Sequence, residues 1–340
     1  MRELIEQICA RQHLTQSQSR KVFARIVAGE LNELEIAALL IALKAKGEEP
    51  EEIAGAAQAM RESALAVDTS GLSVVDSCGT GGDGQATVNI STAAALVAAE
   101  AGLCVAKHGN RSVSSRCGSA DVLERCGVRI DGDPAFARRC LDELNICFLF
   151  APRYHPGVRH AMPVRKALGV RTVFNLLGPL SNPARPRFQL VGVYDPRLCA
   201  PLASTLGLLG CEVALVVHGA GLDEIGLHDS TRAALLRHGK VEEFSIEPEQ
   251  VGFARAPLEA LRGGAAEENA AWLVELLSGR GVEVHCHVVA FNAGALLWIA
   301  GQTETLRRGT EQALEVLRAG KAAERLERWI ALSRAAGEGK

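Results

Sequence analysis

The stretch DSCGTGGDGQATVNIST, residues 76–92, decides how the rest of the chain is interpreted. It follows a short β-branched run at residues 74–76 and precedes a helical stretch, and its Gly79, Gly81 and Gly84 match the pattern G-x-G-x-x-G. Glycines at this spacing let backbone N–H groups approach an anion closely. An ordinary glycine-rich turn before a capped helix would have a similar sequence. This stretch alone therefore does not distinguish an anion-binding loop from a simple turn.

The residues around this loop favour a phosphate group over a dinucleotide. Asn89, Ser91 and Thr92 stand at a predicted helix amino terminus, where backbone N–H groups and the helix dipole attract anions. A dinucleotide fold needs an acidic residue at the end of the next strand, but here the run LCVAKHG supplies Lys107. A P-loop is excluded because no Gly-Lys-Ser/Thr follows at the required spacing.

A second polar loop, KHGNRSVSSRCGSADVLE at residues 107–124, follows the next predicted strand. Parallel strands bring their carboxyl ends to one edge of a sheet, so we expect both loops to open onto one crevice. Lysine, arginine and hydroxyl groups are the donors that phosphate oxygens require, although a solvated loop can be equally polar. The candidate donors are Lys107, His108, Asn110, Arg111, Ser112, Ser114, Ser115 and Ser119.

The whole chain predicts an α/β fold: a large domain with a central, mainly parallel sheet flanked by helices, plus a small all-helical domain. Residues 1–66 have helical patterns, with Thr15 and Gln18 fitting a capping box and Pro50 opening a helix. Beyond residue 72, short β-branched runs alternate with helical stretches, which is typical of parallel strands joined by crossover helices. The predicted strands are residues 74–76, 104–107, 146–150, 190–194 and 213–217.

These patterns also predict how the chain divides into domains. The small helical domain is expected at residues 1–70, completed by about residues 166–187, because VRHAMPVRKALG has a helical pattern and can rejoin the amino-terminal bundle. Residues 71–165 and 188–340 are expected to form the α/β domain, which holds both polar loops.

One helical segment carries an apolar stripe that must be covered. In LNELEIAALLIALKAKG, Leu34, Ala37, Ala38 and Ile41 recur at helical spacing. The rest of the helical bundle, or a contact with a second subunit, would cover them.

Composition excludes several classes of protein. The chain has 340 residues, 48% hydrophobic and 23% charged, which are globular averages and do not support disorder. Aromatic residues are only 4% and the net charge is -3, so the chain offers neither a stacking surface nor a basic field for nucleic acid. Glu3 and Glu6 interrupt the apolar core that a secretory signal needs, so we expect a cytoplasmic protein with no membrane partner.

Residues 76–92 and 107–124 together closely resemble the anthranilate phosphoribosyltransferases, within the fold group that includes the pyrimidine nucleoside phosphorylases. Residues 148–184 and the stretch VVHGAGLDEIGLH at residues 216–228 resemble that family's remaining signature stretches. Agreement of several motifs in order is far more specific than one loop. The resemblance implies transfer of the 5-phosphoribosyl group from phosphoribosyl pyrophosphate (PRPP) to the amino group of anthranilate, giving N-(5-phosphoribosyl)anthranilate and pyrophosphate in tryptophan biosynthesis.

The resemblance also implies which residues bind the two substrates. Anthranilate would be received by Asn110 and Arg165 near the backbone of Gly79. Arg165 can bind a carboxylate through two parallel hydrogen bonds. The alternative interpretation is an ordinary arginine on a surface helix. The residues implied to contact PRPP are Gly79, Gly82, Asp83, Thr87, Asn89, Ile90, Ser91, Thr92, Lys107, His108, Gly109, Asn110, Arg111, Ser112, Val113, Ser114, Ser115 and Ser119.

Asp223 and Glu224, with Ser91, are the residues that the resemblance implies for Mg²⁺, with two ions per monomer. Adjacent side chains point apart on a helix or strand, but on the glycine-flanked loop GAGLDEIG both carboxylates can face one spot. Carboxylate oxygens suit Mg²⁺, which keeps most of its waters and binds beside substrate phosphates. A solvated acidic turn remains the alternative.

The implied reaction needs no strong general base, because the aromatic amine of anthranilate is already unprotonated near neutral pH. Positioning and electrostatics are then sufficient, so no catalytic residue is named. His108 is expected to shape its loop or to pack against substrate. The resemblance and the apolar amino-terminal helices together imply a homodimer through the helical domain.

Two other functions compete with this interpretation. A pyrimidine nucleoside phosphorylase would share the fold and the glycine loop, but the NRSVSS stretch and Arg165 speak against it. A non-catalytic relative that binds nucleic acid would need a basic groove, which the acidic balance and Asp223 with Glu224 disfavour.

Overall fold

The structure is a computed structural model that describes residues 1–112 and 116–336. It begins with the helices α1 (Arg2–Cys9), α2 (Gln16–Val27), α3 (Glu33–Lys46) and α4 (Pro50–Ser63). The predicted capping box is confirmed at α2, where Thr15 Oγ1 accepts from Gln18 N at 3.2 Å and Gln18 Oε1 accepts from Thr15 N at 2.9 Å. Pro50 opens α4, as predicted, because its fixed φ suits the first helical position.

A seven-stranded sheet forms the centre of the molecule. Its strands are β1 (Val74–Gly79), β2 (Cys104–Gly109), β3 (Ile146–Phe150), β4 (Phe188–Gly192), β5 (Val213–His218), β6 (Thr231–Arg237) and β7 (Lys240–Ile246). They lie in the order β3-β2-β1-β4-β5-β6-β7, with β1 to β5 parallel and β6 and β7 antiparallel. The predicted α/β fold with a mainly parallel sheet is confirmed. Four of the five predicted strands start where expected, and the one predicted at residues 190–194 lies two residues earlier, at Phe188–Gly192. The antiparallel hairpin of β6 and β7 was not predicted.

Helices cover both faces of this sheet. They are α5 (Ile90–Glu100), α6 (Ser119–Cys126), α7 (Pro134–Leu144), α8 (Ala151–Tyr154), α9 (Met162–Leu168), α10 (Phe174–Leu180), α11 (Cys199–Leu208), α12 (Ala266–Glu275), α13 (Glu283–Ile299), α14 (Leu306–Arg318) and α15 (Lys321–Ala335). Single turns lie at Pro156–His160, Pro196–Leu198, Pro248–Val251, Leu258–Leu261 and Leu276–Arg280.

Two hydrophobic clusters lie on opposite faces of the sheet. On β5, Leu215 and Val217 belong to the cluster that includes α5 and α13, whereas Ala214 and Val216 face the other cluster, as the two-residue period of a strand requires. That second cluster is continuous with the cores of α2, α3 and α4, and it also takes in residues of α9, α10 and α11. The amino-terminal helices therefore share their core with one face of the sheet. The division into two domains with the bounds given above stays a prediction.

The apolar stripe predicted on α3 is only partly covered. The buried face consists of Ile36, Leu39, Leu40 and Leu43, whereas the side of α3 that carries Leu34 is open, with that residue 83% exposed. The helix is apolar nearly all round, so sequence periodicity did not distinguish its inner face from its outer one.

Among the described residues, no single helix is long and apolar enough to cross a membrane. One bent pair, Ala266–Arg280 with Glu283–Ile299, meets that test by length and composition only.

Candidate active site

The candidate site lies at the carboxyl ends of the parallel strands, at the point where the strand order reverses. From β1 the chain passes to β2 and β3 on one side and then returns to β4 on the other side. In open α/β sheets, ligands bind at such a switch point, outside the carboxyl ends of the strands. The loops after β1, β2 and β5 carry most of the predicted site residues, so the topology brings these loops to one edge of the sheet.

The loop between β1 and α5 depends on glycine. Gly81, Gly82 and Gly84 have φ of +68°, +79° and +76°, a left-handed conformation that other residues adopt only with strain. Asp83 lies among them, and its Oδ1 accepts a hydrogen bond from Gln85 N at 3.2 Å. The loop can therefore turn tightly and expose its backbone where a side chain would otherwise project.

The acidic loop after β5 folds back onto this glycine loop. Asp223 Oδ2 accepts from Gly81 N at 2.7 Å, and Glu224 Oε1 accepts from Ser91 N at 3.2 Å. Both adjacent carboxylates are thus turned toward the segment that joins β1 to α5.

Close backbone approach holds the acidic loop in this position. A Cβ atom at Gly79 would lie 2.1 Å from Asp223 Oδ2, and one at Gly192 would lie 1.5 Å from the carbonyl oxygen of Asp223. Next along the loop, Asn292 of α13 accepts from Ile225 N at 3.1 Å and donates to Ile225 O at 3.0 Å. The ends of β1 and β4 therefore accept only glycine. Asn292 holds the acidic loop through its two hydrogen bonds to the backbone of Ile225.

Negative charge accumulates around this loop. Burial and the nearby charge of Asp83 raise the pKa of Asp223, while burial and the charge of Asp223 raise the pKa of Glu224. Lys107 partly opposes the shift at Glu224. In the part of the chain that the structure describes, no group of three His, Cys, Asp or Glu forms a protein cage for a metal. One or two carboxylates beside a substrate phosphate are, however, the donor set that Mg²⁺ uses most often.

Lys107 connects the second loop to the first. Its side chain is buried, and its Nζ donates to the carbonyl oxygen of Ser77 at 2.6 Å and to Ser91 Oγ at 3.2 Å. The cation at the end of β2 therefore lies against the first turn of α5, next to the glycine loop.

His108, the next residue, is neutral and built into the sheet edge. Its Nδ1 lies 3.1 Å from Gly178 O, and burial lowers its pKa to about 3. Its backbone N donates to Asp76 Oδ1 at 3.3 Å, and the other oxygen of Asp76 accepts from Asn182 Nδ2 at 2.8 Å. Both Asp76 and Asn182 are fully buried, and sequence reasoning gave neither of them a role. This buried pair holds the end of β2 beside β1.

The second loop closes on itself through its own polar groups. Ser119 Oγ donates to Asn110 O at 3.3 Å, and a Cβ atom at Gly109 would lie 2.3 Å from that same hydroxyl. Arg111 donates to both carboxylate oxygens of Glu124 at 2.7 and 2.9 Å. The guanidinium of Arg111 therefore already has a carboxylate partner.

The other residues expected to contact PRPP are distributed as follows. Thr87 forms a β-bridge with Arg262, and Ile90 and Thr92 are 1% and 2% exposed. Ser112 N donates to the carboxylate of Asp121 at 3.0 Å. The remaining members of the set, Val113, Ser114 and Ser115, lie outside the described residues.

Arg165 lies apart from the loops, on α9. Its guanidinium stands 5.2 Å from the ring centroid of Phe174, and Nη1 lies 3.7 Å from the sulfur of Met162. Burial lowers its pKa, and among the described residues no carboxylate pairs with it. An arginine with this environment can receive a carboxylate from a ligand.

Sequence reasoning also missed two polar residues that touch the glycine loop. Arg171 donates from Nη2 to Gly82 O and stacks 4.0 Å over the ring of Tyr194. Asn269, on α12, donates to Asn89 Oδ1 at 2.9 Å. Arg171 lies within the signature stretch at residues 148–184 but was given no role there, and Asn269 lies outside the motifs, so contacts over large sequence separations revealed both.

Comparison with known proteins places the chain among sugar-transferring enzymes. A family model described as the a/b domain of a glycosyl transferase family matches residues 71–323, and the helical bundle domain of that family matches residues 2–64. The anthranilate phosphoribosyltransferase of Sorangium cellulosum is 59% identical, over 98% of this chain and 96% of that protein.

Solved structures agree with this assignment. The anthranilate phosphoribosyltransferase of Thermus thermophilus is 45% identical with a TM-score of 0.92, covering 97% of this chain and 99% of that one. The Saccharomyces cerevisiae enzyme in complex with PRPP and Mg is 28% identical with a TM-score of 0.85, covering 95% and 94%.

Proposed function

This chain belongs to the anthranilate phosphoribosyltransferase family, and we propose on that premise that it uses the switch-point loops to join the 5-phosphoribosyl group of PRPP to the amino group of anthranilate. The products are N-(5-phosphoribosyl)anthranilate and pyrophosphate. The observation that supports the proposal best is the meeting of three loops at one sheet edge, where Lys107, Ser91 and Glu224 are linked by hydrogen bonds. This reaction serves tryptophan biosynthesis, and we expect it to take place in the cytoplasm.

PRPP is proposed to bind across the glycine loop and the second loop. Backbone N–H groups of a glycine loop and of a helix amino terminus suit phosphate oxygens, and the buried Lys107 adds a fixed positive charge. The residues proposed for this role are the full set given under Sequence analysis, from Gly79 to Ser119. The guanidinium of Arg111 is bound to Glu124 and its backbone N donates to Asn110 Oδ1 at 2.8 Å, so either group binds PRPP only after leaving that partner.

Mg²⁺ is proposed to accompany the pyrophosphate group, as two ions per monomer. Asp223 and Glu224, with the hydroxyl of Ser91, would hold the metal, and the crowding of Asp83 against Asp223 makes a divalent cation favourable there. When bound, Mg²⁺ neutralises the charge that develops on the departing pyrophosphate.

The chain's own residues position the reactants. The bond between ribose C1 and the pyrophosphate oxygen breaks, the bond from C1 to the anthranilate nitrogen forms, and the amine loses one proton. Lys107 stabilises the leaving phosphates through its fixed charge, and Arg165 with Asn110 orients anthranilate near Gly79. His108 is neutral, so it adds no charge beside the sugar.

We also propose a homodimer through the helical domain. Leu34, Ile41 and Met162 are 83%, 39% and 48% exposed on the amino-terminal helices and α9, which is unusual for large apolar side chains in one region. A second subunit would remove them from water.

The first test is an activity assay with the intact protein. With PRPP and Mg²⁺ present, we expect anthranilate fluorescence to disappear as the amine is substituted, and omission of either should stop the loss. Persistent fluorescence at saturating substrates, or phosphorolysis of thymidine or uridine by the same preparation, would overturn the proposal.

Arg165→Ala should weaken anthranilate binding by about 1.5–3 kcal/mol, the range for hydrogen bonds to a charged group. The KM for anthranilate should rise accordingly, whereas the KM for PRPP should change little because Arg165 makes no hydrogen bond to the loops. Arg159→Ala, in the preceding turn, is the matched control and should leave both constants unchanged. An unaltered KM for anthranilate in Arg165→Ala would remove this residue from the site.

A further inference from the structure

Asn89 occupies the N-cap position of α5 but does not cap the helix. Asparagine is among the best N-cap residues, because its side-chain oxygen accepts from a backbone N–H group in the first turn. At Asn89 no such hydrogen bond is formed. By contrast, Thr15, Asn32 and Asp133 all cap their helices through their side chains. The N–H groups of Ile90 and Ser91 donate to Val88 O and Glu224 Oε1, so among the described residues the backbone N–H of Thr92 is the first-turn donor that Asn89 leaves uncapped.

The Asn89 side chain instead forms hydrogen bonds with two partners outside α5. Its Oδ1 accepts from Asn269 Nδ2 at 2.9 Å, and its own Nδ2 donates to Cys117 O at 3.2 Å. Cys117 belongs to the second loop, so the Asn89 side chain also joins the two loops that are proposed to bind PRPP.

Asn269 is itself rigidly placed. It is 2% exposed, and its Oδ1 accepts from Gly264 N at 2.8 Å. A Cβ atom at Gly263 would lie 2.9 Å from Asn269 Oδ1 and 2.7 Å from Thr87 O, so this segment packs between α12 and the glycine loop only because it lacks a side chain there. Both the donor and the acceptor of the Asn269 amide are therefore used.

We propose that Asn269 is a positioning residue that holds the Asn89 side chain away from the amino terminus of α5 and so keeps the backbone N–H of Thr92 available to the phosphates of PRPP. The inference rests on the proposed function, because it names the ligand for which this donor is kept available. Without Asn269, only the bond to Cys117 O restrains the Asn89 side chain, whose oxygen can then turn back toward Thr92 N and compete with the substrate for that donor.

Local contacts support this competition. Ser91 N already donates to Glu224 Oε1, and Thr92 Oγ1 is buried without a partner among the described residues. These are the second and third residues of α5, the two positions that an N-cap side chain reaches. If the Asn89 side chain turned toward the first turn of α5, its oxygen would also compete with Glu224 for Ser91 N, and Glu224 is a proposed Mg²⁺ ligand.

The test compares Asn269→Ala, Asn89→Ala and the double variant with wild-type protein. PRPP binding is measured in the presence of Mg²⁺ by titration calorimetry, and kcat and KM are measured separately. Asn269→Ala should weaken PRPP binding roughly five- to tenfold, the scale of one N-cap hydrogen bond, while kcat at saturating PRPP stays within about twofold. In the Asn89→Ala background, adding Asn269→Ala should cause no further loss of affinity, because the side chain through which Asn269 acts is already gone.

Leu273→Val is the matched control, since Leu273 lies one turn further along α12 and is fully buried. It should lower Tm without changing PRPP affinity. The inference is overturned if Asn269→Ala binds PRPP like the wild type, or if the double variant binds more weakly than Asn89→Ala. Failure of the wild type itself to bind PRPP would instead contradict the proposed function.

Discussion

Changing Asp223 to Asn together with Glu224 to Gln should lower kcat/KM by about 10²- to 10³-fold while the protein stays folded. Losing one preorganised electrostatic group at a reacting centre has an effect of that order. The amides keep the shape of both side chains, so Gly81 N and Ser91 N retain oxygen acceptors. What disappears is the negative charge that would hold Mg²⁺ beside the pyrophosphate.

The stability of this variant separates a metal-binding role from a structural one. In buffer with a chelator, the wild-type carboxylates repel one another, and burial and that repulsion raise the pKa of both. We therefore expect the Tm of the double variant without metal to equal or exceed that of the wild type. Added Mg²⁺ should raise the Tm of the wild type in the presence of PRPP but not that of the variant.

Asp229→Asn provides the control for this pair. Asp229 follows on the same loop, its side chain is 59% exposed, and it pairs with Arg255 at the surface. Its neutralisation should leave kcat/KM unchanged and barely alter the Tm, because an exposed ion pair contributes little to stability. Wild-type turnover by the Asp223 and Glu224 variant at low Mg²⁺ would contradict the metal-binding role.

Glu52→Gln should lower the free energy of unfolding by about 3–5 kcal/mol, the cost of leaving one member of a buried ion pair without its partner. Glu52 and Lys46 are 1% and 2% exposed in their side chains, and their charged atoms are 2.7 Å apart. The other oxygen of Glu52 accepts from Leu14 N at 2.8 Å, so this one side chain joins α4 to the segment before α2 and to the last residue of α3. Urea unfolding followed by fluorescence would measure the change.

Two further variants show whether the lost charge is the cause. Glu62→Gln breaks the exposed pair with Arg20, both 41% exposed, and should cost about 0–1 kcal/mol. Lys46→Met combined with Glu52→Gln removes both charges and keeps an acceptor for Leu14 N, so it should recover most of the stability. If the single and double variants were equally unstable, lost packing would explain the effect instead.

The sequence predicted those parts of the fold whose local pattern and final structure agree. Valine-rich runs such as Val213–His218 are typical of buried parallel strands, and this run is a strand in the structure. The strand Thr231–Arg237 was missed because its run of Ala and Leu favours a helix by propensity. Its pairing with β7 depends on the two-residue turn at His238 and Gly239, with φ of 52° and 73°, which lacks the usual Asn-Gly signal.

The site was predictable to the extent that its residues lie within contiguous motifs. Lys107 was identified because it ends a predicted strand, and Ser91 because it stands at the start of a predicted helix. In the structure Lys107 Nζ lies 3.2 Å from Ser91 Oγ. Asn269 and Asn182 were missed because their roles come from contacts across large sequence separations, which no local pattern encodes. Arg171 was missed for the same reason.

The continuous core between the amino-terminal helices and one face of the sheet limits how this polypeptide can be divided for engineering. A split-reporter design that severs it between residues 64 and 71 would expose the surfaces of α10 and α11 that pack against α4, and we expect both fragments to aggregate through those surfaces. The exposed turn at His238 and Gly239 touches neither core and is the better place to graft a tag or a new terminus.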